Sequence, residues 1–435
     1  MTRKIIALLL CVMMIMSLSS CDLKDRLLNQ NDDTTDNSSE TESQENSSDT
    51  TTQKDPSTDS NKPSGGDQQD QPLPDVDPVT VKLTADTAGI KILGERMLTS
   101  EEEQINCDWT CSGIEFVLDS LGGNISFAAG SDKPCYFRAY INGEEWKNGI
   151  NPYYTVSGDS TITLKKVPAG KLTVRLIKVT GHTLARAQLY SMTYYGTLSE
   201  TAPADNDLYI EYVGDSISCG WGVVGDHDGN YNSQDGSLAY PYMLSQRLNA
   251  DYSVTALSGQ GLIYCGANMQ NLYNGYLMSS PLRDSSVQYD FERKADVVVI
   301  NIGTNDYSKR GTNGIDAESF ATAYKSFINV IREKNGANCK IVCLYNTMND
   351  TFAKSIVAAC YELGGISAGI YTFEMDRAAS GHPTIAENRD YTDALEEFMK
   401  DVIAGNIENP FLDSEETGDG MSAGVSQFQP MPNDR

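Results

Sequence analysis

Leu208-Tyr-Ile-Glu-Tyr-Val-Gly-Asp-Ser216 is a mostly apolar run that ends in a glycine and two small polar residues. An apolar run of this length, bounded by a turn signal, predicts a buried strand. A second run, Ala295-Asp-Val-Val-Val-Ile-Asn-Ile302, leads in the same way into Gly-Thr-Asn-Asp306. Because open α/β sheets bind ligands at the carboxyl ends of their strands, Ser216 and Asn305 are predicted to meet at one site.

Strands and helices alternate around these two runs. Further strands are predicted at 253–257, 340–345 and 369–373, and helices are predicted at 239–249, 317–334, 352–363 and 385–403. Alternation of this kind implies a mostly parallel sheet with helices on both faces. The sequence therefore predicts an α/β domain at residues 205–405.

The preceding segment, residues 79–200, has a different pattern. Short runs such as Cys135-Tyr-Phe-Arg-Ala-Tyr140 alternate apolar and polar residues, and Gly, Asp, Asn and Pro turns separate them. Asn142-Gly143 has the composition of a hairpin turn. This pattern predicts an all-β, jelly-roll-like sandwich, and residues 201–207 have the composition of a linker.

The first twenty-one residues have the form of an export signal. Thr2-Arg-Lys4 is positively charged, residues 5–16 are apolar, and Leu18-Ser-Ser-Cys21 follows. Leu-Ser-Ser-Cys resembles the bacterial lipobox, in which the cysteine receives a lipid and becomes the mature N-terminus. The resemblance implies lipidation of Cys21 and an extracellular protein anchored to the cell membrane. A secretory signal cleaved near Ser20 and an uncleaved anchor are the alternatives.

Polar composition and net charge limit the structure and the partners of the chain. Residues 22–78 and 406–435 are too polar to offset the entropy of ordering, so a disordered tether and an unfolded tail are predicted. The net charge is −27, and no cluster of Lys or Arg exists to neutralise phosphates. A nucleic-acid partner is therefore excluded.

Cysteine and histidine usage bears on redox state and on metals. Eight cysteines follow Cys21, an even number that permits disulfides in an exported protein. Cys107 with Cys111, and Cys219 with Cys265, are the pairings considered, while most of the thiols are expected to be buried packing residues. Without a Cys-x-x-Cys pair and with only three histidines, neither a metal nor an organic cofactor is predicted.

The predicted site contains the groups that acyl transfer requires. Such a reaction needs a nucleophile, a base, and donors aimed at the oxygen that becomes negative. Ser216 supplies a hydroxyl and a backbone N–H. The backbone N–H of Gly259, which follows the strand at 253–257, is the predicted second donor, and Gly261 is the alternative. The side-chain amide of Asn305 is the predicted third donor.

The base is chosen from three histidines. His182 lies in the predicted sandwich, where a loop role is the simplest interpretation. His227 lies in a polar loop near Ser216 and is a second choice, at the border of the substrate. His382 directly precedes the last predicted helix, from which an imidazole can reach the carboxyl edge of the sheet. We therefore expect His382 to be the base.

Four neighbours of these motifs have predicted supporting roles. Asp215 and Asp306 are expected to accept hydrogen bonds from backbone N–H groups and so to shape their loops. Trp221 and Tyr307 are predicted to line the cleft, where a sugar ring can stack on an aromatic face; packing in the core is the alternative.

The SGNH, or GDSL-type, hydrolases are named after four residues, and this chain resembles them at Ser216, Gly259, Asn305 and His382. The preceding β-sandwich and the phrase from Tyr209 to Gly220 resemble more narrowly carbohydrate esterase family 2. The resemblance implies a flavodoxin-like SGNH fold and a carboxylic ester hydrolase. Its implied reaction removes O-acetyl groups from xylan, mannan or glucomannan, often at a primary hydroxyl.

One position departs from the pattern of the superfamily. An Asp three residues before the His orients the imidazole there, but this chain has Ala379. Asp376 is one substitute, and a backbone carbonyl or Ser380 is another, which favours a Ser–His dyad. The alternative functions are a lipase or thioesterase on the same scaffold, and a surface protein whose sandwich binds carbohydrate.

Overall fold

The computed structural model describes residues 73–94, 96, 104–225, 233–266, 269–312, 314–379 and 381–407. The predicted signal segment, with Cys21, lies outside these ranges, as do the tether before residue 73 and the tail beyond residue 407. None of the helices in the described ranges has the length and apolar character that crossing a membrane requires.

The N-terminal region forms one antiparallel sheet of ten strands. The strands are β1 Val79–Lys82, β2 Ile90–Leu93, β3 Ile105–Cys107, β4 Gly113–Ser131, β5 Cys135–Ile141, β6 Glu144–Trp146, β7 Tyr154–Val156, β8 Ser160–Lys178, β9 Ala187–Tyr194 and β10 Gly196–Leu198. The strands β4 and β8 have nineteen residues each and pair along almost their whole length. The prediction of a β-rich region is confirmed, and the jelly-roll form stays a prediction.

Local sequence explains the geometry of this sheet. Asn142 and Gly143 join β5 to β6 with φ angles of 52° and 83°. Two positive φ angles are what a two-residue type I′ hairpin turn requires, so the predicted turn is confirmed. Alternating burial along β4 directs Phe116 and Phe127 into a hydrophobic cluster, where their rings pack edge to face with centroids 6.3 Å apart.

The second sheet is parallel, with the order β12, β11, β15, β16, β17. Its strands are β11 Tyr209–Gly214, β12 Asp251–Ala256, β15 Val297–Asn301, β16 Lys340–Tyr345 and β17 Ile370–Glu374. A short antiparallel pair, β13 Met278–Ser280 and β14 Asp284–Gln288, lies apart from it. The strands β11, β12 and β15 are buried at every position, as expected for a sheet covered on both faces.

Helices cover the two faces of the parallel sheet. They are α1 Tyr240–Arg247, α2 Leu272–Gly275, α3 Thr304–Ser308, α4 Ala317–Asn335, α5 Ala353–Glu362 and α6 Ile385–Ala404. Ile210 and Tyr212 of β11 pack in one cluster with α1 and α6, whereas Tyr209 and Val213 pack in another with α4 and α5. Because strand side chains alternate between faces, this division confirms the predicted α/β class.

The two sheets are not separate bodies. Residues of the N-terminal region, among them Leu93, Cys111 and Val179, belong to the same buried cluster as Tyr212 and Tyr252 of the parallel sheet. The phenol of Tyr252 donates a 2.8 Å hydrogen bond to the carbonyl of Cys111. One face of the parallel sheet therefore shares its core with the antiparallel sheet.

The eight cysteines of the described region are all free, so the disulfides considered between Cys107 and Cys111 and between Cys219 and Cys265 are wrong. Seven of the thiols are buried and Cys265 is half-buried, which confirms their role as packing residues. Burial raises the pKa of Cys107 to about 12. The Cys219 sulfur accepts a hydrogen bond from Gln234 instead of bonding to Cys265.

A buried ion pair joins the two sheets. Glu211 lies in the middle of β11 with its side chain 1% exposed, and Arg96 of the N-terminal region binds one of its oxygens through Nη2 at 2.5 Å. The phenol of Tyr276 donates to the other oxygen at 2.7 Å. The guanidinium also lies over the ring of Tyr289, at 4.2 Å from the centroid. The carboxylate in the sheet core is therefore neutralised from outside the sheet.

Removing one partner of this pair leaves an uncompensated buried charge, so Arg96→Met should lower the free energy of unfolding by about 3–5 kcal/mol. The double variant Arg96→Met/Glu211→Leu should lose less than Arg96→Met alone. Urea unfolding followed by circular dichroism measures both. Arg247→Met, in an exposed ion pair with Asp393, is the control and should cost less than about 1 kcal/mol. An equal cost for Arg96→Met and the control would contradict this account.

Candidate active site

Ser216 begins a tight turn directly after β11. The N–H of Cys219 donates to the carbonyl of Asp215, and that of Trp221 donates to the carbonyl of Ser216. A side chain at Gly214 would place its Cβ 2.1 Å from the Ser218 hydroxyl, so the close turn requires glycine there. Ser216 is only 6% exposed. The local sequence therefore fixes the hydroxyl in a confined position at the carboxyl edge.

His382 meets this hydroxyl from the opposite end of the sequence. Its Nε2 lies 2.8 Å from the Ser216 Oγ. The histidine stands on the loop between β17 and α6, two residues before Thr384, which caps the helix. The structure thus brings together the predicted nucleophile and the predicted base, at the distance that proton transfer requires.

The loop that carries His382 is held by a carboxylate on α6. One oxygen of Glu387 accepts the N–H of Ala379 at 2.7 Å, and the other accepts the N–H of Thr384 at 2.8 Å. These two hydrogen bonds fasten the loop on both sides of the histidine. The sequence interpretation did not identify Glu387, although Thr384 and Glu387 have the spacing of a capping box.

Ala379 occupies the position where the superfamily has an acid. Asp376, the substitute considered, is exposed, and within the described residues it makes no hydrogen bond to His382. Ser380 lies outside the described residues, as does His227. Asp376 therefore does not take the place of the missing acid.

The backbone donors lie where the strand-end loops meet. Gly259 lines the same cavity as Ser216 and has φ of 76°, a left-handed conformation that favours glycine. Among the described residues, the N–H groups of Ser216 and Gly259 have no hydrogen-bond acceptor. The N–H of Gly261, by contrast, donates to the Tyr264 carbonyl at 3.0 Å. Gly259 is therefore available as a donor, and Gly261 is not.

Asn305 lies on α3, in the same cavity. Its amide nitrogen donates to Asp215 Oδ2 at 3.1 Å and to the Gln260 carbonyl at 2.9 Å. A primary amide has two N–H donors, so both have acceptors within the protein. Donation to a substrate oxygen therefore requires one of these hydrogen bonds to be shared or replaced. The same contacts fix the direction of the amide.

Asp215 and Asp306 shape the loops, as the sequence suggested. Asp306 accepts hydrogen bonds from three successive N–H groups, those of residues 262–264, at 2.7–2.9 Å. A Cβ at Gly261 would lie 2.5 Å from this carboxylate, which explains the glycine. Asp215 accepts from the Ile217 N–H and from Asn305. Burial raises the pKa of Asp306, and burial raises that of Asp215 to about 7.

The cavity around Ser216 has a volume of about 460 Å³. It is lined by Thr183, Leu184, Ser216, Trp221, Ser258, Gly259, Thr304, Asn305, Ser308, Met348 and His382. Trp221 lies in it as predicted, with its ring centroid 6.5 Å from that of His382. Tyr307 is not among these lining residues; its hydroxyl donates to Asp350 at 2.9 Å, and Arg310 lies over its ring. A contact of Tyr307 with the substrate stays a prediction.

Two of the lining residues, Thr183 and Leu184, come from the N-terminal region, between β8 and β9. No sequence signal pointed to them. Their neighbour His182 is fully buried, stacks on Trp109 at 4.5 Å, and accepts the Leu282 N–H. Burial lowers the pKa of His182 to about 3. It is an internal contact residue rather than a simple loop residue.

Within the described ranges, no group of three or more His, Cys, Asp or Glu side chains could hold a metal ion. The polar atoms of the cavity are hydroxyl, amide, imidazole and backbone groups. Such a set can activate a serine hydroxyl and can stabilise a negative oxygen, which are the two requirements of ester hydrolysis.

Comparisons with known proteins identify the class. Residues 212–422 match the GDSL-like Lipase/Acylhydrolase family. The solved structure of a family two carbohydrate esterase from Clostridium thermocellum in complex with cellohexaose is 27% identical, with a TM-score of 0.64 over 73% of this chain and 99% of that one. The chain therefore contains a GDSL/SGNH lipase–acylhydrolase domain with the SGNH-hydrolase fold.

The curated relatives narrow the resemblance. Cellulase/esterase CelE of Acetivibrio thermocellus is 27% identical over 73% of this chain, and an acetylxylan esterase / glucomannan deacetylase of Cellvibrio japonicus is 25% identical over 45%. The chain spans 40% and 57% of the length of these two relatives. The homologues and structural neighbours include family 2 carbohydrate esterases, as the sequence resemblance implied, and the esterases among them are carboxylic ester hydrolases.

The raised pKa of Asp215 generates a prediction on pH. Between about pH 4 and pH 7, the Asp215 carboxyl keeps its proton in the folded protein but loses it in the unfolded chain. The free energy of unfolding therefore falls as the pH rises through this interval, by roughly 1.4 kcal/mol for each unit of pKa shift. Asp215→Asn has no such proton. The difference in unfolding free energy between wild type and variant, measured by urea unfolding from pH 4 to pH 8, should therefore change in this interval and level off above it. A difference that does not vary with pH would refute the assignment.

Proposed function

We propose that this protein is a carbohydrate O-acetyl esterase in which Ser216 is the nucleophile and His382 is the base. The 2.8 Å contact between Ser216 Oγ and His382 Nε2 carries the proposal. It lies at the carboxyl edge of the parallel sheet, in a cavity that also contains Gly259 and Asn305. The similarity to a family two carbohydrate esterase and to a cellulase/esterase supports the proposed class of reaction.

The proposed reaction proceeds in two steps. His382 Nε2 takes the Ser216 proton while Oγ attacks the carbonyl carbon of the acetyl group. The negative oxygen that forms is stabilised by the N–H groups of Ser216 and Gly259 and by the Asn305 amide. His382 then gives its proton to the departing sugar hydroxyl, which leaves an acetyl–serine ester. Water, activated by the same imidazole, attacks this ester and releases acetate.

This chain has Ala379 where the superfamily has the Asp that stabilises the charged imidazole. Without a carboxylate at that position, the oxyanion donors contribute a larger share of the lowering of the barrier. Glu387 supports the base through the backbone, because it accepts the N–H groups of Ala379 and Thr384 on both sides of His382. We therefore infer a Ser–His dyad on a loop that is held in position by the first turn of α6.

The substrates we propose are acetylated xylan, mannan or glucomannan. The names of the curated relatives, cellulase/esterase and acetylxylan esterase / glucomannan deacetylase, support this class. The hydroxyl-bearing residues Ser258, Thr304 and Ser308, together with the ring of Trp221, offer polar contacts and a stacking face to a sugar. Leu184 and Met348 are apolar residues of the same lining, so long-chain esters, the substrates of a lipase or thioesterase, are tested beside the acetyl esters.

Ser216→Ala and His382→Ala should each lower kcat/KM for 4-nitrophenyl acetate by about 10³-fold or more, because each removes a group on which proton transfer and attack depend. Circular dichroism should show that both variants remain folded. Ser326→Ala is the control, because the Ser326 hydroxyl contacts Tyr273 and does not line the cavity.

NMR on acetylated xylan and acetylated glucomannan identifies the substrate, because it measures the released acetate and shows which sugar hydroxyls have lost their acetyl groups. Retained turnover in Ser216→Ala, or a preference for long-chain esters, would refute the proposal.

We propose, in addition, that the enzyme is anchored outside the cell by a lipid on Cys21. The positive, apolar and lipobox-like segments at residues 2–21 support this. Cys21→Ala should abolish incorporation of an alkyne-labelled fatty acid and move the protein from the membrane fraction to the soluble fraction. Cys11→Ala, which changes a cysteine inside the apolar segment, should keep the label. A wild-type protein that is exported without label would show ordinary secretion instead.

For the two folded regions, we propose domains at 79–200 and 205–405, with a jelly-roll-like form for the first. The long pairing of β4 with β8, whose buried side chains belong to one hydrophobic cluster, supports this form. A crystal structure in which the N-terminal strands make no two-layered sandwich would rule it out.

A further inference from the structure

The active-site cavity is built by both regions of the chain. Thr183 and Leu184 line it from the segment between β8 and β9 of the antiparallel sheet. Both are half-buried, whereas Gly181, His182 and Ala185 around them are buried. The segment 180–185 therefore presents two side chains to the cavity while its other residues are packed inside the protein.

A buried lysine holds the two ends of this segment. The ammonium of Lys178, fully buried at the end of β8, donates to the carbonyls of Thr180 and of Ala185, the latter at 3.1 Å. These carbonyls stand on either side of Thr183 and Leu184. Because a buried ammonium without acceptors is costly, this arrangement is strongly favoured over alternatives that release the carbonyls.

The parallel-sheet region holds the same segment from the other side. The N–H of Gly181 donates to Gln234 Oε1 at 2.6 Å, and Gln234 Nε2 donates to the sulfur of Cys219, three residues after the nucleophile. A Cβ at Gly181 would lie 2.9 Å from Gln234 Nε2. The segment is thus fixed relative to the turn that carries Ser216, which is the preorganisation that a binding surface needs.

We propose that Thr183 and Leu184 are specificity-determining residues that contact the carbohydrate part of the substrate. An acetyl group consists of a methyl and a carbonyl, and the reaction holds it against Ser216, Gly259 and Asn305. Most of a cavity of about 460 Å³ therefore remains for the alcohol part of the ester. Thr183 offers that part a hydroxyl, and Leu184 offers an apolar contact for the C–H face of a sugar ring. The inference rests on the proposed esterase function.

The test compares a substrate with sugar and a substrate without it. Thr183→Ala/Leu184→Ala should raise KM for an acetylated xylo-oligosaccharide or glucomanno-oligosaccharide by about tenfold, which corresponds to a loss of about 1.4 kcal/mol of binding. It should leave kcat/KM for ethyl acetate, whose alcohol part has only two carbons, within about twofold of wild type. The control Leu121→Ala/Thr155→Ala changes two exposed positions of the same sheet and should alter neither value.

Thr183→Val, which removes only the hydroxyl and keeps the volume, provides a second variant if the double variant does not fold. It should raise KM for the oligosaccharide and not for the small ester. An equal loss on both substrates, or no loss on either, would overturn the inference. A different result would contradict the proposed esterase function itself: a wild-type protein that hydrolyses neither ester, or hydrolysis that does not depend on Ser216.

Discussion

Glu211 places a carboxylate in the middle of a central, fully buried strand, and its neutralisation links the two halves of the molecule. A parallel sheet covered on both faces has no water to solvate such a charge. Arg96, from the antiparallel region, supplies the opposite charge, and Tyr276 satisfies the other oxygen. The sheet that carries Ser216 is therefore complete only when the N-terminal region is packed against it. The cavity shared by both regions is consistent with this dependence.

Strand direction organises the site itself. Parallel strands β11, β12 and β15 end at one edge, so the turns that begin at Ser216, Gly259 and Asn305 converge although the sequence separates them by tens of residues. Buried acceptors then fix these turns: Asp306 holds three N–H groups of one loop, and Asp215 holds the Asn305 amide. The Glu387 carboxylate holds the loop of His382 in the same way, because it accepts a backbone N–H of that loop.

Much of the fold could be predicted from local pattern. The four long helices and the five parallel strands lie within a few residues of their predicted places, because their periodicity and turn residues agree with their tertiary role. The short helix α3 was not predicted, since its five residues, Thr304–Ser308, are too few to show a period. The direction of the Tyr307 side chain could not be predicted for a related reason: a motif neighbour on a helix faces a direction that depends on packing, here toward Asp350 and Arg310.

The sequence by itself determined the α/β class and the presence of Ala379 where an acid was expected, and it pointed to Ser216 and His382, because each is written in a short segment. Tertiary structure alone decided that Gly259 rather than Gly261 has an available N–H, that the cysteines remain free, and that Thr183 and Leu184 reach the cavity. These features depend on distances between segments that are far apart in the chain. Composition and spacing carry no information about such distances, since packing fixes them only when the whole core has formed.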